Sequence, residues 1–279
     1  MTLELLIRLS CFAGVLLAMV AWEHWRPKRT PSVKKSQRWL HNFGLLAVST
    51  VILRLLIPAG AVGAALWAQS QQLGLWYWLN APSWLAFAAS ILLLDLSIYW
   101  QHRLFHAVPW LWRLHRVHHA DPDFDSSTGL RFHPLEIILS MLIKIAVVVV
   151  LGAPLWAVIV FEVVLNATSL FNHGNVALPT WLERPLRYLI VTQDMHRIHH
   201  SQVVAETNSN YSFNLSLWDR LFHSYTEQAA AGPDALQIGL SDYPNSHQTT
   251  RLSGMLMIPF QAAKAQTQSA DDPGNSKVR

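Results

Sequence analysis

The segment Trp84–His119, WLAFAASILLLDLSIYWQHRLFHAVPWLWRLHRVHH, decides what kind of molecule this is. From Trp84 to Trp100 it is uncharged except for Asp95 and largely apolar, and it is long enough to cross a hydrocarbon layer about 30 Å thick as a helix. It then runs straight into His102 and His106, spaced H-x-x-x-H, and into His115, His118 and His119, spaced H-x-x-H-H. Residues at i, i+3 and i+4 share a helix face, so each group presents imidazoles together. The segment predicts a membrane helix leading into a metal site at the membrane boundary.

Further apolar runs flank it. The first, about Leu3 to Trp22, has Glu4 and Arg8 near its start. Its positive charge mostly follows the apolar run, and no small-x-small pattern closes it, which argues for a span over a secretory signal peptide. A second, about Phe43 to Trp67, is interrupted by Arg54 and Pro58. Beyond the histidines, Leu135–Leu151 and Leu155–Phe171 are separated by Gly152-Ala153-Pro154 and predict a helical hairpin, crossing or re-entrant. Composition agrees: 52% hydrophobic and 14% charged residues are a bilayer balance. Thirteen tryptophans suit membrane interfaces.

The loop Glu23–Trp39 carries Arg26, Lys28, Arg29, Lys34, Lys35 and Arg38 against Glu23 alone. The positive-inside rule makes this loop cytoplasmic, and parity then puts residues 101–133 and 172–279 on the same side. The short basic loops favour a bacterial inner membrane. Residues 172–226, mixed polar and aromatic, predict a cap, and Leu252–Phe260 is a candidate membrane-docking segment. Disorder is expected largely after about residue 261. The fold expectation is therefore an all-α integral membrane protein of four to five transmembrane or re-entrant helices with a helical cytoplasmic cap. Its parts are 1–83, N-terminal helices; 84–226, the catalytic unit; and 227–279, a C-terminal segment.

A net charge of +4 spread through loops, without a zinc-finger or ribonucleoprotein signature, argues against nucleic acid as a partner. The single cysteine, Cys11, excludes disulfides within the chain and Cys-ligated clusters.

Ten of the fourteen histidines fall between positions 102 and 200. Besides the two groups above, His196, His199 and His200 repeat H-x-x-H-H, while His133 and His173 stand alone. One H-x-x-H-H is expected by chance about 0.03 times in this chain, so two of them point to a metal. His24, His41, His223 and His247 read as ordinary hydrogen-bonded residues. The two boxes with His102, His106 and His173 give nine imidazoles, too many for one ion and right for two. Nitrogen ligands alone admit zinc, copper, iron or nickel; the number of ligands beside a membrane favours a binuclear redox centre. Asp95, seven residues before His102, is expected to bond a ligand imidazole from the second shell, and Glu136 and Asp194 are similar candidates.

The spacing His102-x₃-His106-x₈-His115-x₂-His118-His119, followed by Thr128-Gly-Leu-Arg-Phe-His-Pro-Leu-Glu136, Asn172-His-Gly-Asn175 and the last H-x-x-H-H, resembles the fatty acid hydroxylase / sterol desaturase superfamily over about residues 84–226. The resemblance implies a membrane-bound di-iron, dioxygen-dependent lipid hydroxylase or desaturase. It places His102, His106, His115, His118, His119, His173, His196, His199 and His200 as ligands of two Fe ions, with His133 as a tenth or as a residue orienting a neighbour. Asn210, in the segment after the last box, packs the cap or approaches the metals. The lipid enters from the bilayer. With no Rossmann fingerprint or cysteine cluster in the chain, electrons are expected from a separate ferredoxin, cytochrome b5-like protein or reductase. The competing expectations are a zinc-dependent membrane hydrolase, disfavoured by the absence of a glutamate inside either H-x-x-H-H, and a non-enzymatic metal carrier.

Overall fold

The computed structural model describes residues 3–233, 235–243 and 246–262. The tail from residue 263, where disorder is expected, lies outside them.

Five apolar stretches form the membrane part. Helix α1 spans Leu3–Trp25. The second stretch is broken by Pro58, which lacks an N–H, into α2 (Lys35–Leu56) and α3 (Gly60–Ser70), and the one-turn α4 (Leu75–Trp78) follows. Helix α5 (Ser83–Ala107) carries the apolar run and the first two histidines, His102 and His106. It stops at Val108, whose extended conformation (φ −98°, ψ 118°) is what the following Pro109 imposes. The chain then turns into α6 (Pro109–His119), which packs back on α5. The hairpin is α7 (Pro134–Leu151) and α8 (Leu155–Asn172). Eighteen residues rise about 27 Å, close to the hydrocarbon thickness.

The hairpin tip is where the sequence expected it. Gly152 caps α7 with φ +65°, and the loop before α4 presses on it: a Cβ on Gly74 would lie 2.1 Å from Gly152 N. Below the tip, Ala61 and Ala65 of α3 let that helix approach closely to Leu94, Val148, Val158 and Phe161. The spans also carry charges, paired where they meet. Glu162 of α8 accepts from Lys144 of α7 at 2.8 Å and lies 3.0 Å from Arg8 of α1. Pairing of this kind is what makes an ionised group tolerable at such depth.

The rest of the chain gathers at one end of the bundle, and so do the ends of α1, α2, α5, α7 and α8 nearest the histidines. The short helices there are α9 (Thr180–Leu186), α10 (Gln193–His199), α11 (Val204–Thr207), α12 (Leu217–Leu221), α13 (Ser246–Thr250) and α14 (Leu252–Met257). Among the described residues extended pairing is confined to two isolated bridges, Ile190–Leu215 and Ser201–Ile238, so the chain is all-α. Helix α14 packs its Met255 with Leu45 of α2 and Val117 of α6, and Met257 and Phe260 stay exposed.

Two buried networks fasten this end. Glu23, at the foot of α1, accepts from the backbone N–H and hydroxyl of Ser126 (both 2.7 Å), from Asn175 N–H (3.1 Å) and from Lys35 Nζ (3.1 Å). Arg38, on α2, donates to Asp121 Oδ2 at 2.7 Å and to Asp125. Asp121 also takes the Thr128 hydroxyl at 2.9 Å, and Arg131 Nε donates to Val117 O at 2.7 Å. Residues 121–131, a loop with one 3-10 turn at Thr128–Leu130, are thereby tied to α1, α2 and α6 by buried hydrogen bonds.

Candidate metal centre

Nine of the ten predicted ligands come together, in two groups. The first holds His102, His106, His115, His119 and His199; the second holds His118, His173, His196 and His200; within each group the candidate ligand atoms lie within 4.8 Å of one another. Helix α5 supplies two, α6 three, the end of α8 one (His173) and α10 with its C-cap three.

Each H-x-x-H-H box serves both groups. The i and i+4 members stay together (His115 with His119, His196 with His200), while the i+3 member, His118 or His199, crosses to the other. At about 100° per residue, i+3 and i+4 lie on opposite sides of residue i and diverge by about 100°. A single box therefore straddles two centres, and two facing boxes exchange one ligand each. His119 and His200 stack at the seam, 4.4 Å between centroids and 18° between planes.

The ring nitrogens fit a metal. His102 Nδ1–H donates to Tyr211 O, His199 Nδ1–H to Ser209 O and His173 Nδ1–H to Ser169 O, each at 2.7 Å. His115 Nδ1–H donates to Glu136 Oε1, also at 2.7 Å. A carbonyl only accepts, so these bonds fix the tautomer and leave a lone pair on Nε2. In the first group all five Nε2 atoms are buried and have no protein partner. In the second, His173 Nε2 lies 3.1 Å from His118 Nε2 and 3.0 Å from His196 Nε2, and both ring nitrogens of His200 are unpartnered. So many converging buried acceptors without donors are costly in a protein alone and are satisfied by cations.

Electrostatics points the same way. Burial, and then the neighbouring imidazoles, hold His118, His119, His196 and His200 far below the ordinary histidine range. Burial takes His173 down to about 4 and His199 to about 3. All are neutral near pH 7, the state in which imidazole is a ligand.

The remaining predicted residues divide. Glu136 bonds His115 directly. His133 lies outside both groups and caps α7, its Nδ1 accepting from Leu135 N–H at 3.2 Å. Asp95 does not reach an imidazole. Seven residues, about 10 Å of helix, separate it from His102, and at that level it takes Trp218 Nε1–H at 2.8 Å and Leu215 N–H at 3.2 Å, tying the cap to α5. Asp194 also faces away: two residues from His196 is about 200° around the helix, and there it pairs with Lys28 at 3.2 Å and with Arg197. Asn210, at φ +52°, spends its side chain on Met195 O and on the backbone of Thr226. His24, His41, His223 and His247 belong to neither group.

Several contacts were not read from the sequence. Phe132, the neighbour of His133 in the chain, stacks on His118 at 4.5 Å and 12°. Phe124 lies 5.4 Å from His173 and 5.0 Å from His200. Trp112 lies 4.9 Å from His106, and Tyr211 lies 5.2 to 5.8 Å from His106, His102 and His199. His106 is the one member of the two groups that is not fully buried, and Asn208 Oδ1 sits 3.4 Å from its Nδ1.

Residues 87–224 match the family model described as fatty acid hydroxylase. The chain is similar to the ornithine lipid hydroxylase of Rhizobium tropici, 31% identical over 151 residues that cover 54% of this chain and 44% of that protein. It is similar to human alkylglycerol monooxygenase, 26% identical over 136 residues, 47% of this chain and 28% of that protein. A fatty acid hydroxylase of Lecanicillium is 27% identical over 175 residues, 56% of this chain and 47% of that protein. The matches thus span less than half the length of these relatives. No solved structure matches the chain.

Proposed function

Because the chain belongs, through residues 87–224, to the fatty acid hydroxylase family, we propose that it is a membrane-bound lipid hydroxylase or desaturase that works with two iron ions, dioxygen and electrons from a separate carrier. The observation that carries this reading is the pair of histidine groups with their inward, unpartnered nitrogens. His102, His106, His115, His119 and His199 would hold one ion, and His118, His173, His196 and His200 the other. When bound, such a pair supplies reductive activation of dioxygen for attack on an unactivated C–H bond.

The chain's own work is orientation and exclusion. Tyr211 O, Ser209 O and Ser169 O hold the Nδ1 protons of His102, His199 and His173, so each ring keeps its lone pair aimed inward. Glu136 does the same for His115 through its Oε1. Phe132, Phe124 and Trp112 line the groups with carbon and keep water off them. Substrate approaches past His106, the one ligand candidate that is not fully buried, whose chain neighbours Leu104 and Trp110 are exposed. A lipid arriving laterally from the bilayer meets that half-buried imidazole first.

The basic loop Arg26–Lys35 lies at the same end of the bundle as the histidines, which supports a cytoplasmic site in a bacterial inner membrane. The carrier that delivers electrons binds on that face. A zinc hydrolase needs a carboxylate free to act as base. Asp95 and Asp194 are committed elsewhere, and Glu136 already holds an imidazole.

The test is metal analysis with Mössbauer spectroscopy on the purified protein, joined to lipid profiling of cells with and without it, in air and under nitrogen. Two irons per chain and an oxygen-dependent product, heavier by one oxygen or lighter by two hydrogens, are expected. Stoichiometric zinc without iron, or products unaffected by His199→Ala, would overturn the proposal.

A further inference from the structure

Behind the first histidine group stands an aromatic path that the proposed function leaves without a task. Tyr211, whose ring lies against His102, His106 and His199, meets Tyr99 edge-on at 6.4 Å. Tyr99 is 0% exposed, and its ring is 5.5 Å from that of Trp100, which is 41% exposed at the surface of α5. Three aromatic rings thus join the histidines to the outside of the protein.

The hydrogen bonds around Tyr99 have a direction. Asp219 accepts from Tyr211 N–H at 2.8 Å and Ser212 N–H at 2.9 Å, as an ionised carboxylate does. Such a group has no hydrogen to give, so Ser224 Oγ donates to Asp219 Oδ1 at 2.7 Å. The Ser224 hydroxyl has one hydrogen, and Tyr99 Oη therefore donates to Ser224 at 2.8 Å. Arg103 Nη1 donates to the other side of Tyr99 Oη at 3.2 Å. Tyr99 is a buried phenol with a ready-made exit for its proton.

We propose that Tyr99 is a one-electron donor that discharges the metal site when an oxidising equivalent formed there from dioxygen finds no lipid to attack. This rests on the oxygenase reading of the site. Tyr99 gives one electron across the Tyr211 ring and is oxidised from phenol to neutral phenoxyl, while the site is reduced by one electron. The phenolic proton passes to Ser224 Oγ as the Ser224 proton passes to the Asp219 carboxylate. An external one-electron reductant, of the ascorbate or thiol class, returns the electron through Trp100, and the proton comes back from Asp219. Arg103, 5.4 Å from the Trp100 ring, disfavours a positive charge resting on the indole. The oxidised state therefore settles on Tyr99.

Two arms test the relay. In the first, iron-free protein is oxidised from solution by photogenerated tris(bipyridyl)ruthenium(III). A tyrosyl radical is expected by transient absorption, part of it from the exposed Tyr77 and Tyr188, and the part that Tyr99→Phe removes should be removed by Trp100→Phe as well. In the second, iron-loaded protein receives electrons and air without lipid. A tyrosyl EPR signal is expected that survives Tyr211→Phe, which keeps the ring, and disappears in Tyr211→Leu and Tyr99→Phe. Tyr211→Leu should keep its radical in the first arm, which shows that its fold is intact. The absence of a Tyr99-dependent radical in the first arm, or an air-dependent radical unchanged by Tyr99→Phe, overturns the relay. A Tyr99 radical in the first arm with no iron uptake by the native protein supports the wiring and sinks the oxygenase reading instead.

Discussion

Glu136→Ala is the most informative single substitution. Glu136 is 4% exposed, and its Oε1 takes the Nδ1–H of His115 at 2.7 Å. Removing the carboxylate leaves that donor buried without an acceptor, at a cost of about 1–3 kcal/mol. The metal-free ring can relax by rotating or by changing tautomer, and binding an ion must then reverse that relaxation. The cost thus appears as affinity, and at about 1.4 kcal/mol per factor of ten it amounts to about 5- to 150-fold. This overlaps the range of about 10- to 100-fold typical of partners one bond removed from a metal. Glu136→Gln keeps a carbonyl acceptor and should cost less than about tenfold. The assay is chelator titration of the purified protein, with metal counted by mass spectrometry. One of two ions should leave early in Glu136→Ala, because His118, His173, His196 and His200 have no bond to Glu136 and keep theirs. Wild-type resistance to chelator at both sites would refute the reasoning, as would loss of both ions with the fold intact.

Other expectations follow from the same geometry. His133→Ala should keep both ions and lose only a helix cap, about 1 kcal/mol in thermal stability; departure of an ion would make His133 a ligand after all. Asp95→Ala should likewise keep the metals while loosening the segment around Leu215 and Trp218 by about 1–3 kcal/mol, seen as faster proteolysis of the cap; loss of metal would restore Asp95 to the site. Metal-free protein should lose stability on acidification. His173 and His199 titrate at about 4 and about 3 in the fold but near about 6.5 when unfolded. Between those values the unfolded chain binds more protons, so stability falls as pH drops below about 6.5. A melting temperature in detergent that is flat or rising from pH 7 to 5 would contradict this.

The sequence was informative wherever one stretch of chain settled the question. The apolar runs, the break at Gly152-Ala153-Pro154 and the histidine spacing are local patterns, and local geometry turns them directly into spans, a hairpin and converging rings. How the rings divide between two centres was not legible, because one box looks like one face until a second box is placed opposite it. Asp95 and Asp194 were misread because nearness in sequence or a shared face says nothing about level along a helix or angle around it. Glu23 looked like a stray acid in a basic loop. Its partners Ser126 and Asn175 are more than a hundred residues away, and only the assembled bundle brings them within reach.

The two fastenings at the foot of the bundle bear on how small a working piece can be. Glu23 and Arg38 lie well before residues 87–224, which match the family model, yet they grip residues 121–128 and Asn175, which follow His118 and His173 of the second histidine group along the chain. A fragment begun at α5 would carry every histidine of both groups and still lack the two side chains that keep the scaffold between them taut. Any transplant of this centre into another membrane protein must bring the first two helices along.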